Sequence, residues 1–372
     1  MKLLVISSAP FIKKQEGIYA YSPYVNELEI WSKNVDEITF ACPFWKNEND
    51  LLVTKIPFEI DGFYSLKEFN LKSIRNAFNA IPNIIINCNT LYKSIKKSDV
   101  IHLRCPGNIG LLACFIQILF PSKIKSAKYA GNWDPNANQP ISYQIQKWIL
   151  NNTFLTRNIK VLVYGKWKNS SKNCIPFFTA TYYKSEISEI IPRTLEGQIN
   201  IVFVGMLTKG KQPIYAIKIV EKLKKMNINV QLSLYGDGAE RTDLQEYLDN
   251  NNLNSFIFLE GNKNRDFIKD VYKKSHFLIL PSLSEGWPKV VAESMFWGCL
   301  PIASAVSCVP EIINNEERGI ILKEDLEKDT ETIATLINNP VSYENKIVAG
   351  LKWSRTITID KFEEEIKQLL KS

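Results

Sequence analysis

The sequence predicts an α/β protein with two domains, each built on a parallel sheet that helices cover on both faces. Three observations lead to this prediction. The 372 residues are too many for one ordinary hydrophobic core and suit two domains of common size. Both halves of the chain alternate short apolar runs with longer segments of helical spacing, which is typical of doubly wound sheets. Polar residues cluster with Pro192 and Gly197 between the halves, so we expect the domain boundary between Glu186 and Ile199.

In the first half, short apolar runs predict strands, and two segments between them carry helical spacing. The predicted strands are Lys2–Ser7, Glu37–Ala41, Val100–Leu103, Ser126–Ala130 and Lys160–Tyr164, and the predicted helices are Ser22–Ser32 and Phe69–Lys96. The opening residues Met1–Ala9 are interpreted as part of the first buried strand rather than a secretory leader, because their apolar run is too short.

The second half repeats this alternation and predicts a second doubly wound domain. Its predicted strands are Asn200–Val204, Asn229–Leu234, Ile257–Leu259, Phe277–Leu280 and Leu300–Ala303, and its predicted helices are Pro213–Met226, a helix ending near Asn250, Arg265–Lys274, a helix from Pro288, and Asp360–Lys371. Ligands of such sheets bind beyond the carboxyl ends of the strands, so we expect substrate in a cleft between two facing domains.

Composition excludes several classes of protein. The seven cysteines are an odd number and lack a CxxC pair, which favours reduced thiols and a cytoplasmic location. Only His102 and His276 could supply imidazole, so a zinc site of the usual kind is not expected. The longest apolar run, Ile109–Phe120, is shorter than the roughly 20 residues needed to cross a bilayer.

Charge is distributed unevenly along the chain. Residues 1–195 contain 24 Lys and Arg against 14 Asp and Glu, a net charge of +10, whereas the remainder has 22 against 25, a net charge of −3. A basic first half favours an anionic partner such as a lipid surface or a phosphate-bearing acceptor. The alternative is a solvated, lysine-rich surface. The Ile109–Phe120 stretch, followed by Lys123, Lys125 and Lys128, either rests on a membrane surface or forms a buried core helix.

The segment Ser282–Gly298 carries the strongest chemical signal. Strand Phe277–Leu280 leads through a loop to a helix from Pro288, and the unpaired N–H groups at a helix N-terminus suit a phosphate. Glu285 lies in the loop and Glu293 about one and a half turns into the helix, so the two carboxylates suit opposite ends of an elongated ligand. A nucleoside diphosphate sugar has that shape. The alternative is that Glu285 caps the helix and Glu293 lies on its solvated face.

This segment, PSLSEGWPKVVAESMFWG, resembles the E-x7-E signature of family four of the retaining glycosyltransferases, also called group 1 glycosyltransferases. The likeness extends over most of residues 196–310, including VFVGMLTKGKQPIYAIKIVEKL and LYGDG. The resemblance implies a GT-B fold, two Rossmann-like domains that face each other across a cleft. We therefore expect an acceptor-binding domain at 1–195, a donor-binding domain at 196–352, and a C-terminal helix at 353–372 that packs back on the first domain.

The resemblance also implies the donor-site residues. Lys211 matches the diphosphate-binding lysine of the family, and Lys209 is a close alternative, so we expect Glu285, Lys211 and Lys209 to be catalytic. The predicted donor-binding residues are Gly17, Gly205, Gly286, Trp287, Pro288, Lys289 and Glu293. Relatives usually have Arg directly after the loop glycine, but this chain has Met206, so one cation of the usual pair is absent there.

The first half matches the family less closely. Gly17, within PFIKKQEGIYAYSPYVNELEIW, resembles the N-terminal glycine loop, although it could equally be a turn residue. Many relatives have a histidine after the strand at Ser126–Ala130, where this chain has Gly131-Asn132-Trp133-Asp134. Arg104, Asn132, Trp133 and Asp134 are the predicted acceptor contacts, the alternative for the loop being an Asx turn.

Together these features predict a retaining glycosyltransferase of hexosyltransferase type. It would move a sugar from a nucleoside diphosphate sugar to a glycan or lipid-linked acceptor in polysaccharide or glycoconjugate biosynthesis. A sugar-nucleotide epimerase of the same fold and a non-catalytic sugar-nucleotide-binding partner remain alternatives. A dinucleotide-dependent oxidoreductase is not favoured, because Arg241 replaces the third glycine after Gly236-Asp237-Gly238.

The predicted reaction needs no metal and no cofactor, because the chain has no D-x-D sequence to bridge a metal and a diphosphate. The expected partners are the sugar nucleotide, the glycan or lipid-linked acceptor and an anionic membrane surface, with no nucleic acid. The expected location is cytoplasmic, peripheral to the inner face of the membrane.

Overall fold

The computed structural model describes residues 1–48, 52–71 and 73–371. The chain forms two compact units. Unit 1 comprises Met1–Phe177 together with Phe362–Ser372, and unit 2 comprises Phe178–Lys361. Within the described residues, no helix combines the length and the apolar character needed to span a membrane.

Unit 1 is a doubly wound α/β domain with an added small sheet. Its strands are β1 Lys2–Ile6, β2 Phe11–Lys14, β3 Gly17–Tyr21, β4 Glu37–Cys42, β5 Phe44–Trp45, β6 Val53–Lys55, β7 Gly62–Ser65, β8 Val100–Cys105, β9 Ile124–Tyr129, β10 Ile159–Tyr164 and β11 Cys174–Phe177. Its helices are α1 Ser22–Ser32, α2 Ile74–Lys97, α3 Asn108–Ile116 and α4 Ile141–Leu150, with a 3-10 turn at Gln117–Leu119.

The main sheet of unit 1 is parallel throughout. Among the described residues its strand order is β11-β10-β9-β8-β1-β4-β7. All five predicted strands are present, with ends that differ by up to two residues, because apolar runs mark strand centres better than strand ends.

The sequence analysis missed the small sheet, whose strand order is β5-β2-β3-β6. Strands β2 and β3 form an antiparallel hairpin in which Lys14 pairs with Gly17. Gly17, expected in a glycine loop, is therefore the first residue of β3 and follows the tight turn of this hairpin.

Helix α2 begins at Ile74, five residues after the predicted start at Phe69. The Ser73 side chain accepts a hydrogen bond from the Asn76 N–H at 3.2 Å, a capping contact that fixes the start. Helix α1 has the predicted limits Ser22–Ser32.

Helix α3 decides between the two interpretations of Ile109–Phe120. Its residues Ile109 to Cys114 are buried, and the helix packs between α2 and α4. The Lys125 amine that follows is also buried and donates to the Phe120 carbonyl at 3.0 Å. Residues Ile109–Cys114 therefore form a core helix, whereas Phe115 and Leu119 of the same stretch are exposed.

Unit 2 is the second doubly wound domain. Its strands are β12 Ile199–Val204, β13 Val230–Tyr235, β14 Ile257–Gly261, β15 Phe277–Leu280, β16 Leu300–Ser304 and β17 Ile320–Leu322. Its helices are α5 Pro213–Lys225, α6 Arg241–Asn250, α7 Arg265–Lys274, α8 Lys289–Phe296, α9 Val309–Ile313, α10 Leu326–Ile337 and α11 Pro340–Ser354, with a 3-10 turn at Lys184–Glu186; α12 Ile359–Lys371 begins in unit 2 and continues in unit 1.

The parallel sheet of unit 2 has the order β14-β13-β12-β15-β16-β17 in the described part of the chain. Strand order reverses between β12 and β15, and such a switch point is where open α/β sheets bind ligands. Helix α8 begins at Lys289, one residue later than predicted, because Pro288 has a non-helical ψ of 77° and precedes the helix.

Candidate active site in unit 2

The loops that follow β12 and β13 are hydrogen-bonded to each other. The Leu207 N–H donates to the Asp237 carbonyl at 3.0 Å, and the Glu240 N–H donates to the Leu207 carbonyl at 3.0 Å. Gly236 has a φ of +146°, and a Cβ there would lie 1.9 Å from the Gly205 carbonyl oxygen. Only glycine permits this approach. The end of β13 and the loop after it, with the sequence LYGDG, therefore hold the predicted Gly205 loop in place.

The loop between β15 and α8 meets the Gly205 loop at the switch point. The Leu283 N–H donates to the Gly210 carbonyl at 2.8 Å, and the Lys211 amine lies 2.5 Å from a Glu285 carboxylate oxygen. Glu285 is only 8% exposed, whereas the Lys211 side chain is 24% exposed. The structure thus brings two predicted catalytic residues, 74 positions apart, into one ion pair.

Lys209, the alternative to Lys211, is exposed in the same loop. Met206, at the position where relatives have arginine, is 63% exposed. Of these neighbouring side chains, Lys211 is the cation that the structure pairs with Glu285.

Glu293, on α8, contacts partners of its own. The Thr181 hydroxyl donates to one Glu293 carboxylate oxygen at 2.6 Å, and the Tyr272 hydroxyl lies 3.5 Å from the other. Burial raises the pKa of Tyr272 well above its usual value, and the Glu293 charge adds to this effect, so the phenol remains a donor. Sequence reasoning missed Thr181, which no spacing rule links to a helix 112 residues away.

The start of α8 offers fewer N–H groups than expected. Pro288 has none, and the Lys289 N–H donates to the Trp287 carbonyl at 2.9 Å. The Gly286 carbonyl accepts from the Ser307 hydroxyl at 3.0 Å, which fixes the loop before the helix. The anion-binding role predicted for Gly286 to Lys289 therefore rests on fewer backbone donors.

In unit 1, Arg104 belongs to a largely buried cluster of three charges. Its guanidinium lies 2.6 Å from one Glu27 carboxylate oxygen, and the Lys128 amine lies 2.8 Å from the other. Burial alone would raise the pKa of Glu27, but the charges of Arg104 and Lys128 outweigh burial and hold that pKa well below its usual value. The guanidinium also lies over the Tyr24 ring at 4.4 Å, so the predicted acceptor contact is already engaged within unit 1.

The Asn132–Asp134 loop has the geometry of two consecutive Asx turns. The Asn132 side chain accepts from the Asp134 N–H at 2.9 Å, and the Asp134 carboxylate accepts from the Asn136 N–H at 2.8 Å. Trp133 is 4% exposed and packs edge-on to Tyr129 with ring centres 4.9 Å apart. Both polar side chains thus hold the loop, as the alternative interpretation proposed.

A pocket of about 500 Å³ lies beside this loop. Trp148, which lines the pocket, is 62% exposed. The Lys147 amine donates to the Asp134 carbonyl at 2.8 Å. The residues that line it are Trp133, Pro135, Lys147, Trp148, Asn151, Asn152, Thr153, Trp167, Asn169 and Ser170. Apolar rings beside amide and hydroxyl groups match the two faces of a sugar. Trp148 was missed because a tryptophan within a helix pattern is typical of core packing.

Gly17 lies in the small sheet of unit 1. A Cβ there would lie 2.9 Å from the Lys55 Cε atom, so the residue is tightly packed within the hairpin. Its predicted role in donor binding stays a prediction.

Comparison with known proteins identifies the family of the second half. Residues 186–353 match the family model described as glycosyl transferases group 1. The chain therefore carries a group 1 glycosyltransferase domain. The ion pair of Lys211 with Glu285 lies within this domain, as do Glu293 and Tyr272, whereas Thr181 precedes the matched residues.

Two curated relatives agree with this assignment. An uncharacterised glycosyltransferase of Haemophilus influenzae is 28% identical over 58% of this chain and 60% of its own length. An Escherichia coli UDP-Gal:alpha-D-GlcNAc-diphosphoundecaprenol alpha-1,3-galactosyltransferase is 25% identical over 46% of this chain and 47% of its own length. The matches thus span about half the length of these curated relatives.

The fold likeness extends beyond the glycosyltransferase domain. The Anabaena HepE structure in complex with UDP and glucose superposes with a TM-score of 0.70, covering 100% of both chains at 12% identity. The predicted GT-B fold class, with two Rossmann-like domains, is confirmed.

Proposed function

We propose that this chain is a retaining glycosyltransferase that moves a hexose-type sugar from a nucleoside diphosphate sugar to a glycan or lipid-linked acceptor. The observation that carries the proposal is the Lys211–Glu285 ion pair, at the switch point of a group 1 glycosyltransferase domain. Its place in polysaccharide or glycoconjugate biosynthesis follows from that acceptor class.

The Lys211 ammonium is the proposed electrostatic catalyst. Negative charge builds on the departing diphosphate, and a fixed cation stabilises that charge in the transition state. Glu285 holds the amine in the loop at 2.5 Å. In the donor complex, Glu285 would instead accept from sugar hydroxyls while Lys211 turns to the phosphates.

Retention of configuration is proposed to follow from front-face transfer. The leaving diphosphate takes the acceptor's proton while the sugar passes through an oxocarbenium-like state, so the reaction needs neither an enzyme base nor a metal. Lys209 would supply a second positive charge in place of the arginine that Met206 replaces.

Donor recognition is proposed to use both glutamates at separate ends of the ligand. Glu293 would accept from ribose hydroxyls, with Thr181 and Tyr272 keeping its carboxylate in position. The UDP and glucose bound in the Anabaena HepE structure favour a uridine nucleotide among the candidates.

The proposed acceptor side uses the Trp133 pocket. Its indole rings could pack against sugar C–H groups while Asn151 and Ser170 face the hydroxyls. The diphosphoundecaprenol in the name of the Escherichia coli relative favours a lipid-linked acceptor, and with it a cytoplasmic location at the membrane. The epimerase alternative lacks support, because His102 is buried against Trp31 and both His276 nitrogens contact backbone groups.

A donor screen followed by a Glu293→Ala variant tests the proposal. Uridine, guanosine and adenosine diphosphate sugars are compared for thermal stabilisation, and NMR of the product then reports the anomeric configuration. We expect one nucleotide class to stabilise the chain and Glu293→Ala to reduce turnover at low donor at least about tenfold.

The matched control is Glu331→Ala, which removes an exposed carboxylate from α10 of the same unit. Stabilisation and turnover should remain unchanged in this variant. Undiminished turnover of Glu293→Ala at low donor would contradict the donor-site assignment, and epimerised or hydrolysed donor without acceptor would contradict transfer.

A further inference from the structure

Helix α2 carries an apolar stripe on its solvent side. Phe78 is 68% exposed and Ile85 is 64% exposed, and Ile81 and Ile86 are exposed beside them. The spacing of three, seven and eight residues from Phe78 puts these side chains on one side of the helix. Contiguous apolar side chains of this kind on a soluble domain mark a site that something covers.

The stripe continues on the neighbouring helices. Helix α3 packs between α2 and α4, and successive right-handed crossovers place all three on the same side of the parallel sheet. We name their exposed apolar side chains, together with Leu119 in the 3-10 turn after α3, the apolar face. It consists of Phe78, Ile81, Ile85, Ile86, Tyr92, Phe115, Leu119, Ile141, Ile145 and Trp148.

Most charges around the apolar face are positive. The acid beside α2 is Glu68, whose carbonyl accepts from the Asn83 side chain and whose carboxylate accepts from the Trp45 N–H at 2.8 Å. Helices α2, α3 and α4 contain no Asp or Glu, and Asp99 and Asp134 are the only acids between Phe69 and Ser185. Asp99 accepts from the Lys2 N–H at 2.8 Å, and Asp134 holds its Asx turn. The exposed cations of α2 are Arg75, Lys93, Lys96 and Lys97.

This charge pattern distinguishes between two occupants. In a symmetric dimer, a self-complementary contact would bring the lysines of one copy against those of the other, which is unfavourable. An anionic bilayer offers phosphates to the lysines and an acyl boundary to the apolar side chains, so both parts of the surface are satisfied.

We infer that the apolar face of unit 1 docks on an anionic membrane surface. Phe78 and Ile85 insert at the boundary between headgroups and acyl chains, and Lys93 and Lys96 pair with lipid phosphates. The sequence had left open whether Ile109–Phe120 rests on a membrane or forms a core helix; Ile109–Cys114 are core, and only Phe115 and Leu119 of that stretch belong to the apolar face. The inference goes beyond the transfer reaction, because docking requires no donor.

Co-sedimentation of the full chain with vesicles tests the inference. We compare vesicles of phosphatidylcholine alone with vesicles that also contain phosphatidylglycerol, in the absence of sugar nucleotide. The protein should sediment with the anionic vesicles and dissociate as salt is raised. A Phe78→Glu/Ile85→Glu variant and a Lys93→Glu/Lys96→Glu variant should each bind at least about tenfold more weakly.

The matched control is Val341→Glu/Val348→Glu on α11 of unit 2. Both valines are exposed, and their spacing of seven residues equals that of Phe78 and Ile85, so the change in charge and polarity is comparable. This variant should bind anionic vesicles as the wild type does. Thermal unfolding checks that each variant is folded, and the lysine variant carries the test if the Phe78 variant unfolds.

Three results would overturn the inference. They are no sedimentation with anionic vesicles, equal binding by the apolar-face variants and the control, and a wild-type dimer that Phe78→Glu/Ile85→Glu converts to a monomer in light scattering. The last result would show that the face joins two copies. Because no nucleotide sugar is present, none of these results bears on the proposed transfer reaction.

Discussion

Each unit contains a largely buried glutamate paired with lysine, and the two sites differ in how many cations hold the carboxylate and in how exposed the lysine is. In unit 1, Glu27 is bonded through both carboxylate oxygens, to Arg104 and to Lys128, and the Lys128 side chain is only 2% exposed. In unit 2, Glu285 holds Lys211 through one oxygen, and the Lys211 side chain is partly exposed.

This difference separates a structural cluster from a site that can exchange partners. Removing one member of the Glu27 cluster leaves charge in a medium that cannot solvate it. Lys211 sits in a loop at the switch point of its sheet, where an incoming phosphate could compete for its amine. The Glu27 cluster should therefore determine stability, and the Lys211–Glu285 pair should determine activity.

The largest effect is expected from Glu27→Gln. Without the carboxylate, Arg104 and Lys128 are two buried cations that repel each other, which should lower the free energy of unfolding by about 3–5 kcal/mol. Urea denaturation followed by circular dichroism measures this loss.

The control for that change is Glu29→Gln on the same helix. Glu29 forms an exposed i,i+4 pair with Lys33 at 2.8 Å, and such pairs contribute less than about 0.5 kcal/mol. If Glu27→Gln and Glu29→Gln lose the same free energy of unfolding, the Glu27 cluster contributes no more to stability than an exposed ion pair.

A smaller effect, on activity instead of stability, is expected from Lys211→Met. Removal of one fixed charge that stabilises a developing anion typically lowers kcat about 10²- to 10³-fold. Steady-state rates with the donor identified by the screen measure this change, and the unfolding midpoint should fall by less than in Glu27→Gln, because the Lys211 side chain is partly exposed.

Lys209→Met is the comparison variant, because it removes an exposed lysine from the same loop. If Lys209→Met lowers kcat as much as Lys211→Met, the two lysines act together in place of the missing arginine. If neither variant loses activity, the proposed role of the Lys211–Glu285 pair is wrong.

The smallest effect concerns pH and tests whether water reaches the core beside the Glu27 cluster. Burial, followed by the charge of Arg104, lowers the pKa of His102 to about 3. Between that value and the usual 6.5, the unfolded chain binds a proton that the folded chain does not, so stability falls as pH falls. The loss should reach roughly 2–3 kcal/mol between pH 6.5 and 4.5.

Carboxylates such as Glu27 also make the protein less stable in acid, mainly at lower pH. The informative quantity is therefore the difference in stability between the wild type and a His102 variant. His102→Gln should show a shallower decline of the unfolding midpoint from pH 6.5 to 4.5 than the wild type. If the unfolding midpoints of the wild type and of His102→Gln decline equally with pH, water reaches His102. The Glu27 cluster beside it is then also accessible to water.

Much of the fold was predictable from local pattern. Helices Ser22–Ser32 and Arg265–Lys274 and strand Phe277–Leu280 have their predicted limits, because apolar periodicity and end signals coincide there. The small sheet was not predicted, since its strands β5 and β6 are only two and three residues long and depend on pairing with β2 and β3.

The candidate site was predictable in part. Glu285, Glu293 and Lys211 stand out because one short motif and one loop carry them. Their actual partners were not predictable from the motif: Thr181 lies far away in sequence, and the contact of Arg104 with Glu27 joins residues 77 positions apart.

By itself, the sequence predicted two doubly wound domains, because apolar periodicity is a local property of a chain, and the motif of its second half resembles that of group 1 glycosyltransferases. Only the tertiary structure decided which charges are enclosed and which apolar side chains are left uncovered. It buried Ile109–Cys114, exposed Phe78 and Ile85, and enclosed Lys128 while leaving Lys211 partly exposed. Burial is a sum over contacts between residues that are distant in sequence, so no local pattern encodes it.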